Sequence, residues 1–105
     1  MELAYIVAGE CLQCPYEEKV MVANVVLNRM DHGAYPDRIE AVISQPGQFH
    51  GYCSGWYVWD RESYLAALEA KRKREYTNII YFWRGKKPGY VSEVTHEMKF
   101  HKFGK

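Results

Sequence analysis

The chain predicts an α+β domain, mainly helical, with a short antiparallel β element near the C-terminus. Three observations carry this. Leu3-Ala4-Tyr5-Ile6-Val7-Ala8 is a nearly unbroken apolar run that reads as helix. Val20, Ala23, Leu27 and Met30 recur at helical spacing, and Val22, Val25 and Val26 widen the stripe. Strand formers gather late, at Ile79 to Trp83 and again at Lys99 to Phe103. Helices followed by a small strand element give the α+β order rather than a βαβ alternation. With 105 residues, 48% of them apolar, residues 1–105 are expected to form one compact domain rather than a disordered segment.

The elements follow in order. Glu2 to Glu10 is the first helix, and Pro15 fits the first turn of the second, which runs from about Tyr16 to Met30. So wide an apolar stripe implies burial on most sides and makes this the central helix. Asp31-His32-Gly33 ends it, with Gly33 as C-terminal cap. Asp37 to Ser44 is a short helix with Ile39, Val42 and Ile43 inward, and Gln45-Pro46-Gly47-Gln48-Phe49 is a tight turn. His50 to Trp59 is aromatic and irregular. Asp60 caps a third long helix, with Ser63 near its start, that reaches about Arg74. The cations Lys71-Arg72-Lys73-Arg74 suit its C-terminal dipole. Ile79 to Trp83 is a strand, Lys86-Lys87-Pro88-Gly89 breaks it, and Lys99 to Phe103 is a last short strand.

Composition narrows the function. A formal net charge of +1 argues against a dedicated nucleic-acid binder. Nine Tyr, four Phe and three Trp suggest a core plus a surface that stacks on flat groups such as sugars. No basic-then-apolar leader opens the chain, and no apolar run is long enough to span a bilayer. The expectation is synthesis in the cytoplasm without a signal peptide and no membrane insertion. A target outside the membrane then calls for a helper in release or delivery.

The residue with the clearest chemistry is Glu10, a lone carboxyl in Ala8-Gly9-Glu10 after the first apolar run. A carboxyl at the end of a buried helix loses solvation, which favours its protonated form and suits a general acid. Glu17 and Glu18 start the second helix, where carboxylates favour the dipole, and read as structural. Gln48 offers an amide for an acetamido group or a sugar hydroxyl, and Phe49 a ring to stack on one; a turn with a buried Phe is the alternative. Tyr81 and Trp83 alternate on a strand and share a face, either a sugar platform or core. Asn28 lies on the central helix, where hydrogen bonding to a loop is favoured over a role in the site.

The cysteines carry a second pattern. Cys11-x-x-Cys14 and His50-x-x-Cys53 spell a three-Cys, one-His set with zinc-like spacing, in which zinc would be structural. Three free or core cysteines, or a disulfide from Cys53 to Cys14 or Cys11, are the alternatives.

Several of these residues together resemble the SleB/CwlJ cell-wall hydrolases, the spore cortex-lytic enzymes and their phage and bacterial relatives. The resemblance rests on Gly9-Glu10, Pro15-Tyr16-Glu17, Val25-Val26-Leu27-Asn28-Arg29, Gln45-Pro46-Gly47-Gln48-Phe49, Tyr81-Phe82-Trp83 and His101-Lys102-Phe103, in the family's order. It implies a lysozyme-like fold and cleavage of peptidoglycan between N-acetylmuramic acid and N-acetylglucosamine, at the cell wall or spore cortex. The family's catalytic acid falls on Glu10, and its members look like lytic transglycosylases that leave 1,6-anhydro ends and require no cofactor. His101 matches a family position, with substrate binding, orientation of a site residue or plain structural hydrogen bonding as its roles. The chain departs where the family usually carries a second Glu, because that position is Cys14. This departure motivates one alternative, a non-catalytic peptidoglycan-binding or assembly protein that keeps the fold. A water-using muramidase, with Asp60 or Glu93 as second carboxylate, and a zinc-stabilised interaction module are the others.

Overall fold

α1 (Glu2–Cys11), α2 (Tyr16–Asp31) and α3 (Arg61–Arg72) precede three short strands, β1 (Tyr81–Trp83), β2 (Val94–Glu97) and β3 (Lys102–Gly104). A computed structural model describes residues 2–32 and 59–105. The predicted Gly33 cap, the Asp37–Ser44 helix, the 45–49 turn and nearly all of the His50–Trp59 segment lie outside the described residues.

α2 is the central helix, as its wide stripe predicts. Every residue from Glu18 to Arg29 is buried, and both α1 and α3 pack on it. Leu3, Ile6 and Val7 of α1 are fully covered in this core, each contributing about 1.5–3 kcal/mol by burial. α3 meets the core through the small residues Ala66, Ala67 and Ala70, which let it lie close. α1 ends at Cys11, where the Cys14 amide donates to the Cys11 carbonyl (3.1 Å) and closes a tight turn. Pro15 lies just outside α2 rather than within its first turn: its ψ of 154° is extended, and its carbonyl accepts the Lys19 amide at 3.2 Å.

Asp60 caps α3 as expected, accepting from the amides of Glu62 (3.1 Å) and Ser63 (3.4 Å) and from the Ser63 hydroxyl. The helix ends at Arg72, short of the expected Arg74. Lys73 is already extended, and the Arg74 guanidinium turns back to Asp31 (2.7 Å) and to Asn28 Oδ1 (3.2 Å).

The sheet order is β1-β3-β2, with both pairings antiparallel. β3 is therefore the middle strand, with Phe103 paired to Phe82 and to His96. β2 is absent from the sequence-based reading. It is a half-exposed edge strand interrupted by a bulge between Val94 and His96, so it shows little hydrophobic alternation. The predicted Lys99–Phe103 strand resolves into a turn, closed by Met98 N–H donating to His101 O (2.8 Å), followed by β3. Gly104 is required there, since a Cβ would collide with the Glu93 carbonyl.

Polar side chains on α2 fix the route into β1. Asn28 Nδ2 donates to the carbonyls of Tyr76 (2.7 Å) and Ile79 (2.8 Å), and Arg29 Nε donates to that of Ile80 (2.8 Å). The buried Leu27-Asn28-Arg29 segment thereby supplies partners to backbone carbonyls that have left helix α3 and not yet joined the sheet.

Candidate active site

α1 carries Glu10 to its last turn, where the apolar run gives out and the chain reaches the surface. The carboxyl is half-buried and lines a cleft of about 230 Å³ with Gln13 of the following turn, Arg84 beyond β1 and Phe100 in the β2–β3 turn. Glu10 is the only carboxylate among the described residues that line it. The Phe100 ring is flanked by two cations, Lys99 Nζ at 5.5 Å and the Arg84 guanidinium at 5.9 Å from its centroid. The opening thus offers one acid, one ring and a positive rim, a set suited to an anionic, hydroxyl-rich substrate.

Beneath the cleft lies a buried polar cluster. Cys11 and Cys14 are joined by a disulfide rather than paired with Cys53. Glu18, fully buried, reaches His101 Nδ1 (2.8 Å) and accepts the Phe100 amide on both oxygens (3.2 and 3.1 Å). The two sulfurs lie 3.8 and 3.9 Å from His101 Nδ1, and Cys14 Sγ lies 3.5 Å from Glu18 Oε2. His101, itself 3% exposed, meets Arg84 Nε at 3.4 Å through Nε2, and Phe82 packs edge-on against its ring at 5.3 Å. Glu18 therefore ties the turn behind Glu10 to the strand turn that carries Phe100.

The role of Glu18 differs from the dipole role its position suggests. The available signal was its spacing: Glu18 stands one turn after Cys14 and in line with Val22 and Val25, on a face of α2 that continues apolar for its next two turns. Lys19, 3% exposed, is the second buried charge on this turn, and it reaches Glu62 (3.0 Å) and Asp60 (3.8 Å).

Other sequence-predicted site residues fall in different places. Asn28 is 6% exposed and spent on the Tyr76 and Ile79 carbonyls. Trp83 is 8% exposed, while Tyr81 is half-buried between Tyr90, at 5.0 Å between centroids, and the Arg29 guanidinium at 5.8 Å. Neither lines the Glu10 cleft among its described residues. Asp60 is the α3 cap, and Glu93 is exposed and faces Lys105 at 3.9 Å. Gln48, Phe49, His50 and Cys53 lie outside the described residues. A larger hollow of about 680 Å³ opens at the far end of α2, around Asn28, Asp31, Arg74 and Asn78. Its described carboxylate, Asp31, is exposed and paired with Arg74, whereas Glu10 in the smaller cleft is half-buried at the end of an apolar helix.

Comparison with known proteins agrees with this architecture. The fold matches the catalytic domain of the Bacillus cereus SleB protein with a TM-score of 0.87 at 25% identity, covering 98% of this chain and 86% of that one. It matches the catalytic domain of the germination-specific lytic transglycosylase SleB from Bacillus anthracis with a TM-score of 0.81 at 24% identity, covering 98% and 90%. Over 70 residues, 65% of this chain, it is 39% identical to a spore cortex-lytic enzyme of Oceanobacillus iheyensis and 34% identical to one of Halalkalibacterium halodurans. The chain spans only 25% and 21% of the length of those two proteins. Among the described residues no helix is long and apolar enough to cross a membrane. The Cell Wall Hydrolase family profile matches residues 13–104, beginning just after Glu10, and the chain belongs to that family, in its SleB/CwlJ branch.

Proposed function

We propose that the chain cleaves peptidoglycan glycan strands between N-acetylmuramic acid and N-acetylglucosamine as a lytic transglycosylase, with Glu10 as its one catalytic carboxyl. The observation that supports this most is the cleft itself, in which Glu10 is the only described acid. Glu10 donates its proton to the glycosidic oxygen, and the C1–O bond breaks. The muramic C6 hydroxyl attacks C1 of the same sugar and returns its proton to the Glu10 carboxylate. A 1,6-anhydro end forms, the acid is regenerated, and no water is consumed. Two-carboxylate glycosidases need their second group to activate water or to attack, and internal attack removes that need. The engagement of Asp60 with Lys19 and of Glu93 with Lys105 fits this reading, because both earlier candidates for a second carboxylate are occupied elsewhere.

Phe100 stacks on a sugar ring in this reading, and Arg84 and Lys99 attract the carboxylates of the muramic lactyl and peptide groups. Gln48 and Phe49 add sugar contacts in this reading, and Tyr81 and Trp83 stabilise β1. His101 acts through Glu18 as a positioning residue. The substrate is wall or spore-cortex peptidoglycan. Mass analysis of soluble fragments made in ¹⁸O-labelled water tests the proposal. Unlabelled anhydro-muropeptides are expected, and reducing ends carrying ¹⁸O would overturn the internal attack.

A further inference from the structure

The cluster beneath the cleft holds four groups that ligate soft or borderline metals, brought from three parts of the chain. Cys11 and Cys14 flank the α1–α2 turn, Glu18 comes from the first turns of α2, and His101 from the strand turn. Their ligand atoms all lie within 4.8 Å of one another, and all four residues are buried. We propose that in its reduced state the protein binds a structural zinc ion through Cys11 Sγ, Cys14 Sγ, Glu18 Oε2 and His101 Nδ1. This set replaces the His50 and Cys53 half of the pattern suggested by sequence spacing.

Geometry and charge support the assignment. Tetrahedral zinc, with bonds of about 2.3 Å to sulfur and 2.0–2.1 Å to nitrogen or oxygen, separates unlike ligand atoms by about 3.5 Å. The Sγ–Nδ1 distances of 3.8 and 3.9 Å and the Sγ–Oε2 distance of 3.5 Å are already near that value. The sulfurs must part, the Nδ1–Oε2 contact of 2.8 Å must open slightly, and Cys11 Sγ, within 4.8 Å of the other ligand atoms, must settle at the same distance from the carboxylate. With both sulfurs as thiolates, the Glu18 carboxylate and a neutral His101, the set carries three negative charges, and a divalent cation offsets two of them where water is excluded. Zinc on Nδ1 leaves the proton on His101 Nε2, so Arg84, whose Nε donates to that nitrogen at 3.4 Å, turns away toward solvent on metal binding, while the other outer groups are already in place. The Phe100 amide orients the Glu18 carboxylate, and Phe82 fixes the plane of the His101 ring. Four protein ligands leave no open position, so the metal holds the wall of the Glu10 cleft and takes no part in bond cleavage.

The redox step balances simply. An external dithiol delivers two electrons and two protons, the S–S bond breaks, and two thiols form as the dithiol becomes a disulfide. Zinc then displaces both thiol protons to solvent. Oxidation reverses the sequence and ejects the metal.

The test uses the full chain, made in a reducing cytoplasm and purified with a phosphine reductant but no chelator. Elemental analysis should find about one zinc per chain. Cys14→Ser should weaken zinc retention by at least about tenfold, and Cys53→Ser should leave it unchanged. Cobalt loading of the wild type gives an independent readout if Cys14→Ser fails to fold: intense sulfur-to-cobalt absorption and tetrahedral visible bands are expected. The proposal is overturned if the fully reduced protein retains no zinc after incubation with zinc chloride and gel filtration. Octahedral cobalt without sulfur charge transfer, or zinc lost from Cys53→Ser but kept by Cys14→Ser, would overturn it equally.

Discussion

Glu18→Ala separates two accounts of a helix-start carboxylate by magnitude. A solvated acid favouring the α2 dipole contributes about 0.3–1 kcal/mol. Glu18 is instead fully buried, and its removal strands the part-buried Phe100 amide and a buried His101 Nδ1. Each stranded group costs about 1–3 kcal/mol, and breaking a buried charged contact costs about 3–5 kcal/mol in all. A domain of this size has roughly 5–15 kcal/mol of total stability, so the loss is a large share of it. Urea unfolding of the oxidised protein near pH 7, with a chelator present, measures it as a shift in midpoint at unchanged slope. Glu18→Gln keeps one acceptor oxygen and should fall between wild type and Glu18→Ala. A loss below about 1 kcal/mol for Glu18→Ala would refute the burial argument and restore the dipole account.

Three further outcomes are expected. Asn28→Ala should cost about 2–3 kcal/mol in urea unfolding by stranding the Tyr76 and Ile79 carbonyls, with little change in KM at the folded protein's concentration; a raised KM with stability intact would make Asn28 a substrate ligand instead. Burial tends to raise the Asp60 carboxyl, but the Ser63 hydroxyl, Lys19 and the α3 amides outweigh it and hold it below its ordinary range. Its stabilisation is therefore present above about pH 4 and lost as pH falls through the lowered value, so Asp60→Asn should flatten the acid limb of a stability–pH profile. Burial, and then the hydrogen bond to Glu69, push the Tyr16 hydroxyl up to about 12. Its stabilisation is full below about pH 10 and lost toward pH 12, and Tyr16→Phe should remove one late step from the alkaline phenolate absorbance titration.

The helices were legible from their apolar residues and caps: α2 shows a stripe wide enough to signal burial on all sides, and Asp60 with Ser63 marks the start of α3 by side-chain chemistry alone. β2 was not legible, because Val94–Glu97 is an edge strand held by backbone bonds to β3 and carries little apolar alternation. Glu10 stood out as a lone acid after an apolar run. The groups around it did not, since Arg84 and Phe100 reach the cleft only through sheet topology, far from Glu10 along the chain. Glu18 was the hardest to read. Its burial depends on the His101 imidazole and the Phe100 amide arriving from the other end of the molecule, a contact no local pattern contains. The CxxC pattern was visible, but its neighbours Glu18 and His101 follow from the fold and not from spacing.

The rate at which Glu10→Gln releases soluble fragments from purified peptidoglycan, measured against wild type with both proteins shown to be folded, tests the role of Glu10 most directly. Glutamine keeps the shape of the side chain and removes its proton-donating group. General acid catalysis contributes about 10²–10⁴-fold, so a loss of that size is predicted on both vegetative and cortex material that the wild type cleaves. Release by Glu10→Gln within about tenfold of wild type would contradict the claim that this carboxyl carries the chemistry.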